Sequence, residues 1–482
     1  MKKFSLRFDF KSRHAGISAL TTIAVLAGII ILNVVAGSTD LKIDLTPKKL
    51  FSLTNQTQEL LDGLEQEVVI TALYTAGQEN EGIMETLSEY ESRSNLVTLN
   101  VVDPDRDPGT VARYTEEGTN LTKGSLIVSS GSEFRTIAPQ ELYEVSYSQN
   151  GQPQLLGQKV EQMVTSALAF VSSGDSPAIY EIIGHQEATL TTLGYSETLQ
   201  QANYRLSEIS LLRERIPEDA AILTLFAPQA DLSEAEIDQI DAFLTAGGSL
   251  FVALHPQYPI LPNLYALLAK WDIVVRHGVV MENRTNRLIP EFGDSKFVFA
   301  PYASDHEVMT PLKEAKLDPI LQATLGFAPT PSRQRQLEYF PILSSSEDSW
   351  LRTNIDSEQS GSLSKIAGDE MGPIDVVVGV RQRNLDTYEP EGGTIVAIGG
   401  ASAFASLGYL GQIKANADLL TGLINWTAGD QATILVPSKS LYKLPLRINT
   451  LTAFIYAGIA VILIPLLCLA GGLTVYLRRR HK

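Results

Sequence analysis

The sequence predicts an α/β protein whose body lies between two membrane-spanning helices. Two long, charge-free apolar segments, residues 15–39 and 448–477, lie near opposite ends of the chain. Between them, short β-branched runs alternate with segments of helical periodicity, which is typical of an α/β body. The only cysteine, Cys468, lies in the second apolar segment. The body therefore has no disulfide and no cysteine-based zinc site.

Each apolar segment is long enough to cross a bilayer, since a helical span takes about 20 predominantly apolar residues. Basic residues lie in the tails, residues 1–14 and 478–482. Because positively charged flanks stay in the cytoplasm, we expect both tails to be cytoplasmic. The chain would then be a two-pass protein of the plasma (inner) membrane with an extracytoplasmic body. A cleaved signal peptide is the alternative for the first segment, but its apolar region would be only about 7–15 residues long.

The charge of the chain bears on its partners. The net charge is -17 and both tails are basic, so the body between them is strongly acidic. Nucleic acids and anionic lipids are bound through Lys and Arg. The sequence therefore predicts the membrane as a partner of the apolar segments and no nucleic-acid partner for the body.

The first part of the body, residues 40–150, shows the element order β-α-β-α-β-β. Residues 68–74 and 96–103 are β-branched runs typical of strands, and residues 79–94 between them have apolar side chains at helical spacing. Thr54 is placed to cap a helix before the first strand. The run GSLIVSSGSEFRTI indicates a closing hairpin. This is the order of a thioredoxin-like fold, and without redox cysteines it predicts a binding or scaffolding domain.

A second, larger domain follows. The apolar stripe of KVEQMVTSALAFVS predicts a connecting helix within residues 151–174. Over residues 175–440 strand and helix patterns alternate, which is typical of an open parallel sheet. Ser233 and Glu236 form the capping-box pattern S-x-x-E at a helix start, and Gly247 lies at the end of that helix.

The candidate binding residues lie in EIIGHQEATL, where a predicted strand ends. Ligands of open α/β sheets bind just beyond the carboxyl ends of strands. Gly184, His185 and Glu187 follow such an end and are the candidate ligand- or partner-binding residues; a well-packed loop is the alternative. The sequence has no Walker A order, no G-x-S-x-G elbow and no H-E-x-x-H pattern. We therefore expect no enzyme activity, no cofactor and no metal site.

Three stretches, in their order along the chain, carry a family resemblance. They are IDLTPKKLFSLTNQTQELLDGLEQEVVITALY, EIIGHQEATL and AILTLFAPQADLSEAEIDQIDAFLTAGGSLFVALHP. Together they resemble the auxiliary component of gliding-motility type ABC transporters, the GldG-like proteins. In the second stretch the family has Gly-His-Gly-Glu, and Gln186 replaces the second glycine. The strand TIVAIGGASAF is similar to a further family element but lacks the Asp that the family often has there.

The resemblance implies a non-enzymatic subunit that joins a separate ABC permease and a cytoplasmic ABC ATPase, with an envelope component as a further partner. It also implies that the larger domain is flavodoxin- or amidotransferase-like, although an amidotransferase needs a nucleophilic cysteine that the body lacks. Two other functions stay open. One is a membrane-tethered scaffold that bridges to the cell envelope. The other is an envelope hydrolase that uses His185 and Glu187.

Overall fold

The structure is a computed structural model with two compact units. It describes residues 24–28, 51–115, 121–147, 152–173, 176–293, 295–331, 334–353, 364–387, 390–405, 413–429, 436, 439–440, 465–466 and 477. The larger unit comprises residues 1–143 and 159–439, and the smaller comprises residues 144–158 and 440–482.

The first elements of the larger unit form an N-terminal lobe around a four-stranded sheet. They are α1 (Asn55–Asp62), β1 (Val68–Leu73), α2 (Glu81–Arg93), β2 (Val97–Val102), α3 (Pro108–Arg113), β3 (Leu126–Ser130), β4 (Glu133–Ile137) and, after β5 (Tyr143–Tyr147) and β6 (Pro153–Gln158) in the chain, α4 (Val160–Ser173). Apart from Tyr143, strands β5 and β6 belong to the smaller unit. The sheet order is β2-β1-β3-β4. Strand β1 runs parallel to β2 and antiparallel to β3, and β3 and β4 form a hairpin. The elements follow the order that the sequence predicts, while the thioredoxin-like assignment stays a prediction.

Helix α4 belongs to the core of this lobe. Its residues Val160, Val164 and Leu168 are fully buried, and they pack in one apolar cluster with residues of the sheet such as Ile70 and Val128. The apolar stripe that predicted a connecting helix is therefore the face with which α4 covers the sheet.

The rest of the larger unit contains a ten-stranded sheet, smaller sheets and several helices. Its elements are β7 (Ala178–Ile182), α5 (Ser196–Gln201), β8 (Arg205–Ile209), β9 (Ala220–Phe226), α6 (Glu234–Thr245), β10 (Ser249–Ala253), α7 (Pro262–Lys270), β11 (Val274–Arg276), β12 (Val279–Met281), β13 (Val298–Phe299), β14 (Tyr302–Ala303), α8 (Thr310–Ala315), β15 (Leu321–Gln322), β16 (Gly326–Ala328), β17 (Leu337–Ser344), β18 (Trp350–Arg352), β19 (Glu370–Met371), β20 (Asp375–Arg383), β21 (Pro390–Ile398) and α9 (Lys414–Thr427). A last short strand, β22, spans Lys439–Ser440.

The large sheet is mixed, which corrects the predicted open parallel sheet. Its order is β11-β16-β20-β21-β10-β9-β7-β8, and β17 pairs with β20 and with β14. The strands from β21 to β8 are parallel, whereas β20 is antiparallel to β21, β16 and β17. Strands β20 and β21 are joined by a short turn, and a short turn can join antiparallel neighbours but not parallel ones.

Helices cover both faces of the parallel part of the sheet. One apolar cluster includes Leu199 of α5 and Leu420 of α9, and a second includes Leu244 of α6 and Leu268 of α7. Smaller sheets have the orders β12-β18-β19, β13-β15 and β22-β6-β5. The parallel strands are thus buried on both sides, and their carboxyl ends carry the loops of interest.

The predicted membrane spans need a correction. Among the residues that the structure describes, no helix has both the length and the apolar character needed to cross a membrane. This finding contradicts the predicted transmembrane helices at 15–39 and 448–477 and the two-pass inner-membrane localisation. A span requires about 20 residues in one unbroken helix, which apolar composition alone does not establish. Of these two segments, all but residues 24–28, 465–466 and 477 lie outside the described residues, as do the tails 1–14 and 478–482.

Candidate functional site

The predicted binding loop lies where the strand order of the large sheet reverses. Strand β7 has β8 on one side and β9 on the other, so the chain leaves β7 for the sheet edge and returns across it. Two backbone N–H groups of the loop after β9, those of Gln229 and Ala230, donate to the carbonyl oxygen of His185 over 2.9 and 3.1 Å. The N–H of Ala188 donates to the carbonyl of Phe226 over 2.8 Å. The loops after β7 and β9 are therefore locked together at the reversal point, where α/β sheets bind ligands.

Glu187 shapes the loop after β7. Its carboxylate accepts the backbone N–H of Gly184 over 2.8 Å and that of His185 over 2.6 Å. The side chain is 4% exposed. Both carboxylate oxygens thus serve the backbone two and three residues upstream, and a charged acceptor makes these hydrogen bonds strong.

His185 joins this loop to the next helix. The imidazole is 4% exposed, and its Nε2 lies 3.2 Å from Oε1 of Glu236. Oε2 of Glu236 accepts from the N–H and the hydroxyl of Ser233 over 2.9 and 2.8 Å, which completes the capping box at the start of α6. Nδ1 of His185 lies 3.8 Å from Glu187, beyond hydrogen-bond length. The buried imidazole therefore lies between two glutamates that belong to different elements.

This geometry suits loop positioning better than attack on a substrate. An acid–base pair must come within hydrogen-bond reach of the group it acts on. His185 and Glu187 are buried and occupied with Glu236 and with the backbone. The exposed side chain of the loop is that of Gln186, whose carbonyl accepts from the side chain of Gln229 over 3.0 Å. Gln186 has a φ of 59°, a region that glycine adopts without strain, so the glycine of the family pattern would fit this position.

Exposed apolar side chains lie on the loops after β8 and β10, which flank the loops after β7 and β9. Leu212, after β8, is 62% exposed, and Ile260, after β10, is 57% exposed. Strands β8 and β10 are three positions apart in the sheet, or about 14 Å at the usual strand spacing. We call Leu212, Gln186, Gln229 and Ile260 the carboxyl-edge surface. Its four side chains are uncharged, and exposed Arg213, Glu214 and Arg215 follow Leu212 in the chain at its border.

Two further histidines of the body lie on other elements than the loop after β7. His255 follows β10, its ring centroid lies 4.8 Å from that of Tyr258, and burial lowers its pKa. His306 packs against Trp426 with 4.9 Å between ring centroids, and burial lowers its pKa as well. Within the part of the chain that the structure describes, no group of three or more His, Cys, Asp or Glu side chains is placed to hold a metal ion.

Sequence reasoning missed Glu236, Gln229 and the two apolar residues of the carboxyl-edge surface. The S-x-x-E pattern signals the position of Glu236, but it predicts only a helix start and not a contact with His185. Leu212 and Ile260 lie in loops whose neighbourhood depends on the strand order, which no local pattern encodes. The structure does bring Gly184, His185 and Glu187 together in one loop, as their adjacency requires.

Two family models match separate parts of this chain. Residues 176–381 match the family ABC_transp_aux, described as an ABC-type uncharacterized transport system. Residues 47–144 match a domain of unknown function, DUF7088. This match to residues 176–381 supports the predicted family of ABC transporter auxiliary components.

Solved structures offer only distant likenesses. The mmIFT52 N-terminal domain is 12% identical with a TM-score of 0.37, covering 52% of this chain and 97% of its own. A putative ThuA-like protein from Bacteroides uniformis is 12% identical with a TM-score of 0.29, covering 52% and 90%. A second one, from Parabacteroides merdae, is 9% identical with a TM-score of 0.31, covering 56% and 98%. These scores are too low to carry an argument. No curated protein matches the chain.

Proposed function

We propose that this chain is a non-enzymatic, GldG-like auxiliary subunit of an ABC transport system, working with a separate permease and a separate ATPase. The observation that carries the proposal is that the carboxyl-edge surface lies entirely within the family match at residues 176–381. This surface is the part of the lobe that we assign to partner binding.

The character of the surface supports a protein partner. Protein interfaces are depleted of charge at their centre and combine apolar with hydrogen-bonding side chains. Leu212 and Ile260 supply exposed apolar area, and Gln186 and Gln229 supply amides between them. Because the loops after β7 and β9 are fixed by backbone hydrogen bonds and by Glu187, these two loops lose little conformational entropy when a partner binds.

The proposal is tested by purifying the tagged full-length chain from its native cells in a mild detergent and identifying what accompanies it. We expect an ABC ATPase and a permease in a fixed ratio. Recovery of the chain alone, or with cell-envelope components and no ATPase, would contradict the auxiliary-subunit role and favour a scaffold.

A surface variant locates the contact. Leu212→Asp combined with Ile260→Asp places two charges on the carboxyl-edge surface, and we expect capture of the partners to fall at least tenfold. Leu385→Asp is the matched control, because Leu385 is 50% exposed and lies in the turn between β20 and β21. Equal capture by both variants would remove the carboxyl-edge surface from the proposal while leaving the subunit role to the purification.

A further inference from the structure

A buried carboxylate in the N-terminal lobe joins the segment 52–57 to Lys439, the last residue of the larger unit. Glu161, on α4, is 3% exposed. Its Oε1 accepts the backbone N–H of Thr54 over 2.5 Å and the hydroxyl of Thr57 over 2.8 Å. Its Oε2 lies 2.7 Å from Nζ of Lys439. The same ammonium donates to the carbonyl oxygen of Ser52 over 2.5 Å.

Hydroxyl groups complete the surroundings of Glu161. The Tyr90 hydroxyl donates to the carbonyl oxygen of Glu161 over 3.1 Å and lies 2.6 Å from the hydroxyl of Thr165. Thr165 in turn lies 3.0 Å from the hydroxyl of Thr57. Burial raises the pKa of Tyr90 well above its ordinary value, with the charge of Glu161 as the next contribution. The neutral groups on the carboxylate itself are the N–H of Thr54 and the hydroxyl of Thr57, and Lys439 alone among these contacts balances its charge.

We infer that the Glu161–Lys439 ion pair is a latch that holds residue 439 and the segment 52–57 on α4 and makes them open together. A buried carboxylate without a partner is strongly unfavourable. If residue 439 leaves, the charge of Glu161 is uncompensated, and the segment that Glu161 holds through Thr54 and Thr57 is weakened with it. A local opening at one end of the unit therefore propagates to a segment more than 380 residues away in sequence.

The latch is tested by hydrogen–deuterium exchange on the full chain. In Lys439→Met, we expect the amides of residues 51–62 to exchange roughly tenfold faster than in the wild type, because the opening that exposes them becomes easier. The amides of β9 and β10, in the large sheet, should be unchanged. Lys414→Met is the matched control, since it removes an ion pair to Asp418 of 3.0 Å whose side chains are 28% and 30% exposed.

A second variant keeps the test decisive if Lys439→Met folds poorly. The double variant Glu161→Gln with Lys439→Met buries no charge, and the amide oxygen can still accept from Thr54 and Thr57. We expect exchange of residues 51–62 in the double variant to be slower than in Lys439→Met. Faster exchange in the double variant would overturn the latch. So would acceleration confined to the residues next to 439, or equal acceleration in Lys414→Met.

Discussion

The carboxyl edge of the large sheet and the latch of the N-terminal lobe both depend on a buried glutamate. The two glutamates differ in how far away in the sequence their hydrogen-bond partners lie. Glu187 binds backbone groups two and three residues away. Glu161 binds groups 104 and 107 residues away and a lysine near the end of the unit. The first carboxylate fixes the shape of one loop, and the second fixes where distant parts of the chain meet. Loss of the second should therefore affect stability more.

The largest loss of stability should come from breaking the Glu161–Lys439 ion pair of the latch. Removing one partner of a buried ion pair costs about 3–5 kcal/mol. Since the Lys439 side chain is 12% exposed and water reaches it in part, we expect Lys439→Met to lower the free energy of unfolding by about 3 kcal/mol. Urea denaturation measures this value. Lys414→Met should lower it by less than about 0.5 kcal/mol, as for surface pairs in general, and equal losses would contradict the ranking.

A smaller loss of stability is expected from substituting Glu236 at the start of α6. Glu236→Gln weakens the acceptor for the N–H and hydroxyl of Ser233 and leaves His185 beside a neutral amide. Capping interactions and charged hydrogen bonds of this kind contribute about 1–2 kcal/mol. Thermal unfolding followed by circular dichroism should show the loss. Glu234→Gln is the control, because Glu234 is exposed in the same turn, and a similar loss there would assign the effect to helix charge instead of the cap.

The smallest effect should be a pH dependence of the free energy of unfolding, caused by Glu181 on β7. Burial raises the pKa of Glu181 above its ordinary value of 4.5, although Leu190 and Thr191 donate hydrogen bonds to its carboxylate. The folded protein thus holds this proton more tightly than the unfolded chain. The resulting stability is present in full below about pH 4.5 and is lost as pH rises through the raised pKa.

Glu181→Gln tests this sign. The difference in unfolding free energy between Glu181→Gln and the wild type should change in favour of the variant as pH rises from 4.5, in urea titrations at several pH values. A difference that stays constant over this range would show that Glu181 titrates alike in the folded and unfolded chains.

The number of residues that separate two contacting groups in the sequence decides whether the sequence alone predicts their contact. Thr54 caps α1, with its side chain accepting from Thr57, and Ser233 and Glu236 form the predicted capping box, because a cap involves neighbours three residues apart. The strands β1, β2, β9 and β10 were also predicted from β-branched runs. These features are local, and local patterns encode them.

Long-range features escaped prediction. The contact of His185 with Glu236 depends on β7 and β9 being neighbours, and the Glu161–Lys439 pair depends on where the end of the unit returns. The mixed character of the sheet follows from β20 pairing with β17 and β16, which no periodicity shows. The predicted transmembrane helices relied on apolar length, and among the described residues no helix meets that requirement.

The contact between Lys439 and Ser52 also bears on circular permutation of the chain. The side chain of Lys439, the last residue of the larger unit, reaches the carbonyl group of Ser52, 387 residues earlier in the chain. A fragment of residues 51–440 would therefore have its ends close together, and proteins whose ends are close commonly tolerate circular permutation. A short flexible linker could join residue 440 to residue 51, with new termini opened in the exposed turn around Leu385. Such a permutant would retain all four residues of the carboxyl-edge surface and would place its new ends in an exposed turn, where labels can be attached.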